Sequence, residues 1–296
     1  MKLYSVIKWI TAHPLNRKDK MAAVIRFVRW QIGIRLIPGE FVFNWINDAK
    51  FFVRKGENGL TGNIYCGLHD FADMAYIMHV MRDDDLFIDV GANSGSYSIL
   101  ACAVAGAKGY AFEPVPKTFK RLSKNISLNN LENRVACFNI GIGKQEGTLI
   151  FTNNEDAKNH VSYSKTASAY DIEVDVKCLD SMLVNADPTL IKIDVEGFEI
   201  PVLQGASKTL TKESLYSIVI EMNGSGSVYD FDEAEILQIM NEHNFYPYEY
   251  DPFTRKLKPL KSKSLSSGNT IFIRNIEFAK TRVDKCPEIT VNGQLL

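Results

Sequence analysis

The chain has 296 residues, enough to bury the core of one large α/β domain with an appendage. Its composition, 46% apolar and 23% charged, is that of a soluble globular protein, and a net charge of −1 gives no support to a nucleic-acid partner. The balance is uneven, because residues 1–36 hold eight Lys or Arg against one acid, Asp19, which leaves about −8 on the remainder.

Residues 21–37 read as a helix in which Arg26, Arg29 and Arg35 interrupt an apolar background, stopped by Pro38-Gly39. Two readings stand for it. It lies on an anionic membrane surface with Phe27 and Trp30 inserted, or it packs on the main domain or on the partner in a homodimer. Residues 41–66, broken by turn residues such as Gly56 and Gly59, suggest short strands or a hairpin. From residue 86 strands and helices alternate. Strand 86–90 is followed by helix 96–105, closed by Gly106; strand 109–113 by helix 117–129, with Phe119, Leu122 and Ile126 on one face. Strand 134–140 leads into a hairpin-like insertion around 147–178. Strand 190–194 and helix 197–204 come next, then strand 216–221 and helix 232–243, whose buried stripe is Ile236, Leu237, Ile239 and Met240. Strands 246–250 and 269–274 are placed together as an antiparallel hairpin at one edge. The fold class is therefore α/β, a Rossmann-like, mostly parallel sheet with helices on both faces. The expected organisation is a basic arm of helix and short strands over 1–59, a main domain over 60–275 and a tail over 276–296.

The most informative stretch is Leu86 to Gly95. An apolar strand runs into Gly91-Ala92-Asn93-Ser94-Gly95, and a second strand ends eighteen residues later at Glu113. That is the layout of a nucleotide-type pocket at the carboxyl edge of a parallel sheet. A dinucleotide turn wants Gly-x-Gly-x-x-Gly, but Asn93 and Ser96 stand at two of those positions. Asp89 inside the strand repels a pyrophosphate and suits a cation, so S-adenosylmethionine, with a sulfonium and an ammonium and no phosphate, is favoured over NAD. Gly91 and Gly95 would let the backbone pass close to the cofactor. Asp89 would meet the methionyl ammonium, directly or through water, and Glu113 would accept both ribose hydroxyls. The plain alternative is a βαβ unit of another doubly wound fold, with Asp89 merely capping a helix.

A second block, Ile191-Lys192-Ile193-Asp194-Val195-Glu196-Gly197, puts Asp194 at the end of the fourth strand. Period 2 turns Lys192 and Asp194 to one face, as a buried ion pair or as a functional carboxylate beside the cofactor. Glu221 ends the next apolar strand. Methyl transfer to an alcohol needs a group to take its proton, and Asp194 and Glu196 are the candidates. Chelation of Mg²⁺ by the same acids is the rival use; a divalent metal is left open and no metal ligand is assigned. His160, in the polar insertion, reads as a solvated loop histidine before it reads as a base, and His79 as packed.

Phe87 to Gly95, Phe112-Glu113-Pro114, Leu122 with Asn125 and Asn129, Ile191 to Gly197 with Glu199, Gly205-Ala206, Ile220-Glu221 and Asn269 to Ile273 together resemble an FkbM-type methyltransferase, a branch of the class I S-adenosylmethionine-dependent enzymes. The resemblance covers about residues 60–275. It implies cofactor binding by Asp89, Gly91, Ala92, Asn93, Gly95, Tyr97 and Glu113, with Asp194 facing the reacting methyl. It also implies O-methylation of a hydroxyl, on a saccharide or on a small metabolite. Asp70 stands where the family frequently has a glutamate. A nucleic-acid methyltransferase of the same fold is disfavoured, since the turn after strand four lacks the Asn/Asp-Pro-Pro-aromatic sequence that holds a flipped base. A catalytically silent binding protein of this fold is the remaining competitor, against which the acids at every expected strand end argue.

Cys66, Cys102, Cys137, Cys178 and Cys286 are odd in number with no Cys-x-x-Cys pair, so neither a zinc site nor a disulfide framework is expected. Lys8 breaks the first apolar run and Pro14, Arg17 and Lys18 follow it, unlike a secretory signal. No stretch approaches the roughly 20 apolar residues that span a bilayer. A cytoplasmic location is expected.

Overall fold

The computed structural model describes residues 3–37, 39–55, 59–153, 159–162 and 171–296. The arm comprises helices α1 (Leu3–Ala12) and α2 (Lys20–Leu36) and an antiparallel hairpin of β1 (Glu40–Asn44) and β2 (Lys50–Arg54). Asp19 starts α2 by accepting the Ala22 N–H at 2.8 Å. The expected stop at Pro38 and turn at Gly56 lie outside the described residues. One face of α2, Ala23, Phe27, Trp30 and Ile34, shares a core with Phe51, Ile64 and Ile99.

Helices α3 (Thr61–Cys66) and α4 (Phe71–Val80) lead into the main domain. Here the expectation of strands through residue 66 is corrected. Ile64 and Tyr65 have strand propensity, but Asn63 to Cys66 are buried consecutively under the arm, and that tertiary burial decides.

The main domain then runs β3 (Leu86–Val90), α5 (Ser96–Ile99, continued as a π-helical turn over Leu100–Val104), β4 (Lys108–Phe112), α6 (Pro116–Leu128) and β5 (Val135–Phe138). A small second sheet follows, of β6 (Gly141–Ile142), β7 (Gly147–Phe151) and β8 (Ile172–Lys177), in the order β6-β8-β7. Parts of the expected insertion, 154–158 and 163–170, lie outside the described residues; the flanking β7 and β8 pair antiparallel as anticipated. The chain continues through α7 (Leu179–Met182), β9 (Leu190–Ile193), α8 (Glu199–Gln204), β10 (Ser217–Glu221), α9 (Glu233–Glu242), β11 (Tyr246–Asp251), β12 (Lys256–Pro259), β13 (Asn269–Ile273) and α10 (Ile276–Asp284).

The main sheet has the order β12-β11-β13-β10-β9-β3-β4-β5. Strands β3, β4, β5, β9 and β10 are parallel, and β13 runs antiparallel between β10 and β11. The last two anticipated strands do pair, but not at the edge. β13 inserts beside β10, and the edge is a hairpin of β11 with β12, a short exposed strand that no hydrophobic pattern announced. Chain order proceeds outward from β3 to β5 and returns to β9 on the other side of β3, which makes the carboxyl ends of β3 and β9 the switch point where an open α/β sheet takes its ligand.

Strand alternation divides the core into two layers. Phe87, Val219 and Ile271 pack with α4, α5, α6 and α10; Ile88, Val90, Ile191, Ile193, Ile218 and Ile220 pack with α8 and α9. Residues 276–296, read as a tail, carry α10, whose Ala279 and Val283 are fully buried in the first layer together with Ile289, Val291 and Leu296.

Candidate active site

Backbone bonds shape the turn after β3. The N–H groups of Gly91 and Ala92 both donate to the Phe112 carbonyl, at 3.0 and 2.9 Å, and Asp194 N–H donates to Val90 O at 3.0 Å. Gly91 and Gly95 have φ of +80° and +89°. A Cβ on Gly91 would lie 1.8 Å from the Asp194 carbonyl oxygen, and one on Gly95 would lie 2.8 Å from Leu122 Cδ1. Both glycines therefore have a structural reason beside the expected one: the space they free is occupied by protein, bringing the β3 turn against the end of β9 and onto α6.

Four acids ring this turn in distinct environments. Asp89 is buried beneath it and accepts Ser98 Oγ–H at 2.6 Å; burial pushes its pKa up to about 6. Glu113 lies one residue past the end of β4. Its Oε2 accepts Asn93 N–H at 3.0 Å and its Oε1 accepts Val115 N–H at 2.9 Å, while burial raises its pKa to about 7. Each oxygen keeps one further acceptor site. Asp194 follows β9 directly, and its side chain is about one-third exposed. Glu221 closes β10; one of its oxygens is buried without a hydrogen-bond partner, and burial, then the Asp194 charge, hold its pKa well above the carboxylate range.

Lys192 is the cation among them, fully buried, with Nζ 3.1 Å from Asp194 Oδ2 and 3.2 Å from Ile193 O. Burial works against its charge, but Asp194, Glu221 and Asp70 outweigh it and raise its pKa. Lys192 and Asp194 do share one face and pair, as period 2 implied, with the lysine buried and the aspartate partly exposed, and Lys192 sits opposite Asp89 in the register of β3 and β9. Its Nζ also lies 5.2 Å from the centre of the Tyr97 ring, whose hydroxyl donates to Asp70 Oδ2 at 2.9 Å. Tyr97, from the start of α5, and Asp70, at the N-terminal end of α4, therefore join the group.

Glu196 stands at φ +52°, and the loop around it is pinned by buried Glu199, whose Oε1 accepts the N–H groups of Val195 and Gly197 at 3.2 and 3.1 Å. Burial raises the Glu199 pKa to about 7. Carboxylate oxygens of Asp194, Glu196 and Glu221 all fall within 4.8 Å of one another, close enough to share a cation. Beside Glu113 a small apolar pocket of about 20 Å³ lies between Val90, Phe112, Pro114, Ile140, Val195 and Phe198.

The structure brings every site residue named from the sequence, Asp89, Gly91, Ala92, Asn93, Gly95, Tyr97, Glu113, Asp194 and Glu196, to the ends of β3, β4 and β9. His160 precedes Val161, which lines the pocket, and its main chain pairs with Thr152 beyond β7. His79 is packed, as read, with Nδ1 2.5 Å from Tyr250 Oη, and burial lowers its pKa to about 4. Sequence reasoning missed Asp73 in α4, fully buried and bonded to Ser267 and Asn269 beside β13. An acid inside the apolar run Phe71 to Val80 was its available signal. It also missed the work of Asn125, whose fully buried side chain donates to Ser94 O at 2.7 Å and accepts Phe52 N–H at 2.8 Å, tying the turn to the arm.

The chain has similar proteins of known name. The hexuronic acid methyltransferase AglP of Haloferax volcanii is 25% identical over 169 residues, which cover 56% of this chain and 65% of that protein. Methyltransferase 1 of Beauveria bassiana is 28% identical over 159 residues, 46% of this chain and 64% of the other. The chain thus spans just under two-thirds of the length of these relatives. A solved methyltransferase FkbM from Methylobacillus flagellatus KT is similar at a TM-score of 0.43 and 17% identity, over 65% of this chain and 44% of that one. The model of the methyltransferase FkbM domain matches residues 89–247, from Asp89 in β3 to Pro247 at the start of β11, and the chain belongs to that family of methyltransferases.

Proposed function

We propose that this methyltransferase uses S-adenosylmethionine to methylate a hydroxyl oxygen of a saccharide. The observation that carries the reading is the division of the site into two halves of opposite character. The free acceptor sites of Glu113 fit a ribose diol, and the apolar side chains beside it, among them Phe112, Ile140 and Phe198, offer a surface for a base. The other half gathers Asp89, Asp194, Glu196 and Asp70, with the high-pKa Glu221, around the buried Lys192, a setting that fits a ligand carrying positive charge and no phosphate. The residues present fit the cofactor, which when bound supplies an electrophilic methyl group.

The chain's own residues supply the rest. Lys192 occupies Asp194 Oδ2, which leaves Oδ1 to accept the proton that an acceptor hydroxyl gives up. Glu199 fixes the loop that bears Glu196, and Tyr97, held by Asp70, walls the site beside Lys192. The saccharide class is supported by the hexuronic acid named for the Haloferax relative. A second reading rests on the proximity of Asp194, Glu196 and Glu221: a divalent cation there would bind and acidify a vicinal diol.

Calorimetry with S-adenosylhomocysteine on wild type and Glu113→Ala, followed by methyl transfer to uronic acid glycosides, tests the proposal. Micromolar binding lost in the variant, with label appearing in an acid-stable methyl ether, supports it. Absence of binding by the folded chain overturns it. Turnover unchanged by EDTA removes the metal reading.

A further inference from the structure

Helix α2 carries apolar residues on two opposite faces, and the main domain covers only one. At about 100° per residue, buried Ala23, Phe27, Trp30 and Ile34 cluster on one side, while Met21, Ile25, Val28, Ile32 and Leu36 line the other within an arc of roughly 80°. These five are between 44% and 75% exposed. Arg29 and Arg35, both exposed, fall on opposite flanks of this outer stripe. Lys18 and Lys20 are exposed at the N-terminal end, and no acid occurs between residues 20 and 36. Helix α1, packed beside α2, adds exposed Leu3 and Tyr4. Of the 17 exposed large hydrophobics among the described residues, ten fall within residues 3–42.

We propose that this outer face of α2 docks on an anionic lipid surface, with Ile25, Val28 and Ile32 entering the acyl boundary and Arg29 and Arg35 meeting phosphates. The chemistry of the face selects that occupant. An apolar stripe edged by cations and free of carboxylates matches a headgroup layer above hydrocarbon. A second copy docked through the same face would set Arg29 and Arg35 against their own equivalents with no acid to answer them. The seven exposed large hydrophobics outside the arm, Ile150, Val184, Val228, Tyr246, Phe253, Leu265 and Leu295, form no helical stripe that could receive α2 from another molecule. No helix among the described residues is long and apolar enough to cross a membrane, so the contact is peripheral.

Flotation of the full chain with phosphatidylcholine vesicles, with and without phosphatidylglycerol, tests this. The expected result is association with the phosphatidylglycerol vesicles that weakens with salt. Arg29→Ala should weaken it about five-fold, the factor equivalent to ~1 kcal/mol per basic side chain at an anionic surface. Ile25→Asp with Ile32→Asp should abolish it while leaving the thermal midpoint and S-adenosylhomocysteine affinity unchanged, since both side chains face solvent. Three results overturn the proposal: no association with either vesicle, association indifferent to the Ile25 and Ile32 changes, or a dimer in sedimentation that Ile25→Asp dissolves.

Discussion

Replacing Gly91 with Ala isolates the contact on which the geometry of the site depends. Alanine at φ +80° costs about 1–2 kcal/mol in backbone strain alone. The new Cβ would also lie 1.8 Å from the Asp194 carbonyl oxygen, where roughly 3.3 Å is the closest comfortable carbon–oxygen approach. The turn and the end of β9 must then separate by more than an ångström. That strains or breaks the bond from Asp194 N–H to Val90 O, worth about 1 kcal/mol, and disturbs the packing around it. The total is about 3–5 kcal/mol. Gly293 provides the control, with φ +75° and nothing within 4 Å of its would-be Cβ, so Gly293→Ala should cost only the strain. At ~2–4 °C per kcal/mol, calorimetric melting should fall by about 6–20 °C for Gly91→Ala and about 2–8 °C for Gly293→Ala. S-adenosylhomocysteine binding should fall only in the first variant. Equal losses of stability would refute the close-contact reasoning. So would a Gly91→Ala protein of wild-type stability that merely fails to bind, because the glycine would then serve the ligand and not the packing.

Three further outcomes are expected. With the Glu113 pKa near 7, ribose binding that needs its carboxylate should weaken as pH falls below about 7, approaching tenfold per unit, and Glu113→Gln should bind weakly with a flat profile; titration calorimetry from pH 5 to 8 checks this. Asp194→Asn should lower turnover by about 100-fold or more while cofactor affinity changes far less, in a radiolabel transfer assay; a loss under threefold would exclude Asp194 as the proton acceptor. Glu199 has its pKa raised to about 7, so its stabilising contribution is full below the ordinary carboxylate range and is lost as pH rises through about 7. Glu199→Gln should therefore melt higher than wild type at pH 8 by the equivalent of about 3 kcal/mol and match it near pH 4.

Most of the parallel sheet was legible because each strand is an apolar run ended by a glycine or an acid, and each helix shows a one-sided stripe. What failed has local causes. Helix α4 has Asp73 through Val80 buried without a break, which erases the 3.6-residue period that would have announced it. Strand β12 is Lys-Leu-Lys-Pro, half-solvated and too short to show alternation. The position of β13 between β10 and β11 is a matter of topology, and no residue within Asn269–Ile273 encodes which neighbour it takes. In the site, residues that neighbour one another in sequence were readable, as with Asp89, Gly91 and Asn93 in one turn. Partnerships across elements were not: Tyr97 with Asp70, or Asn125 with Phe52, are joined only by folding.

That last bond makes the arm and the turn after β3 one mechanical unit. Asn125 holds Ser94 O with its amide nitrogen and the Phe52 N–H with its oxygen, and Asn129 bonds both ways to Lys50 a turn further on. A force that shifts β2 must therefore drag α6 and the Gly91–Gly95 turn with it, or leave buried amides unsatisfied. By reciprocity, any partner of the arm that favours one setting of β2 changes the affinity of the turn for its ligand by the same factor by which that ligand changes the arm's affinity for the partner. Occupancy at one end of α6 is in this sense a titrant for the other.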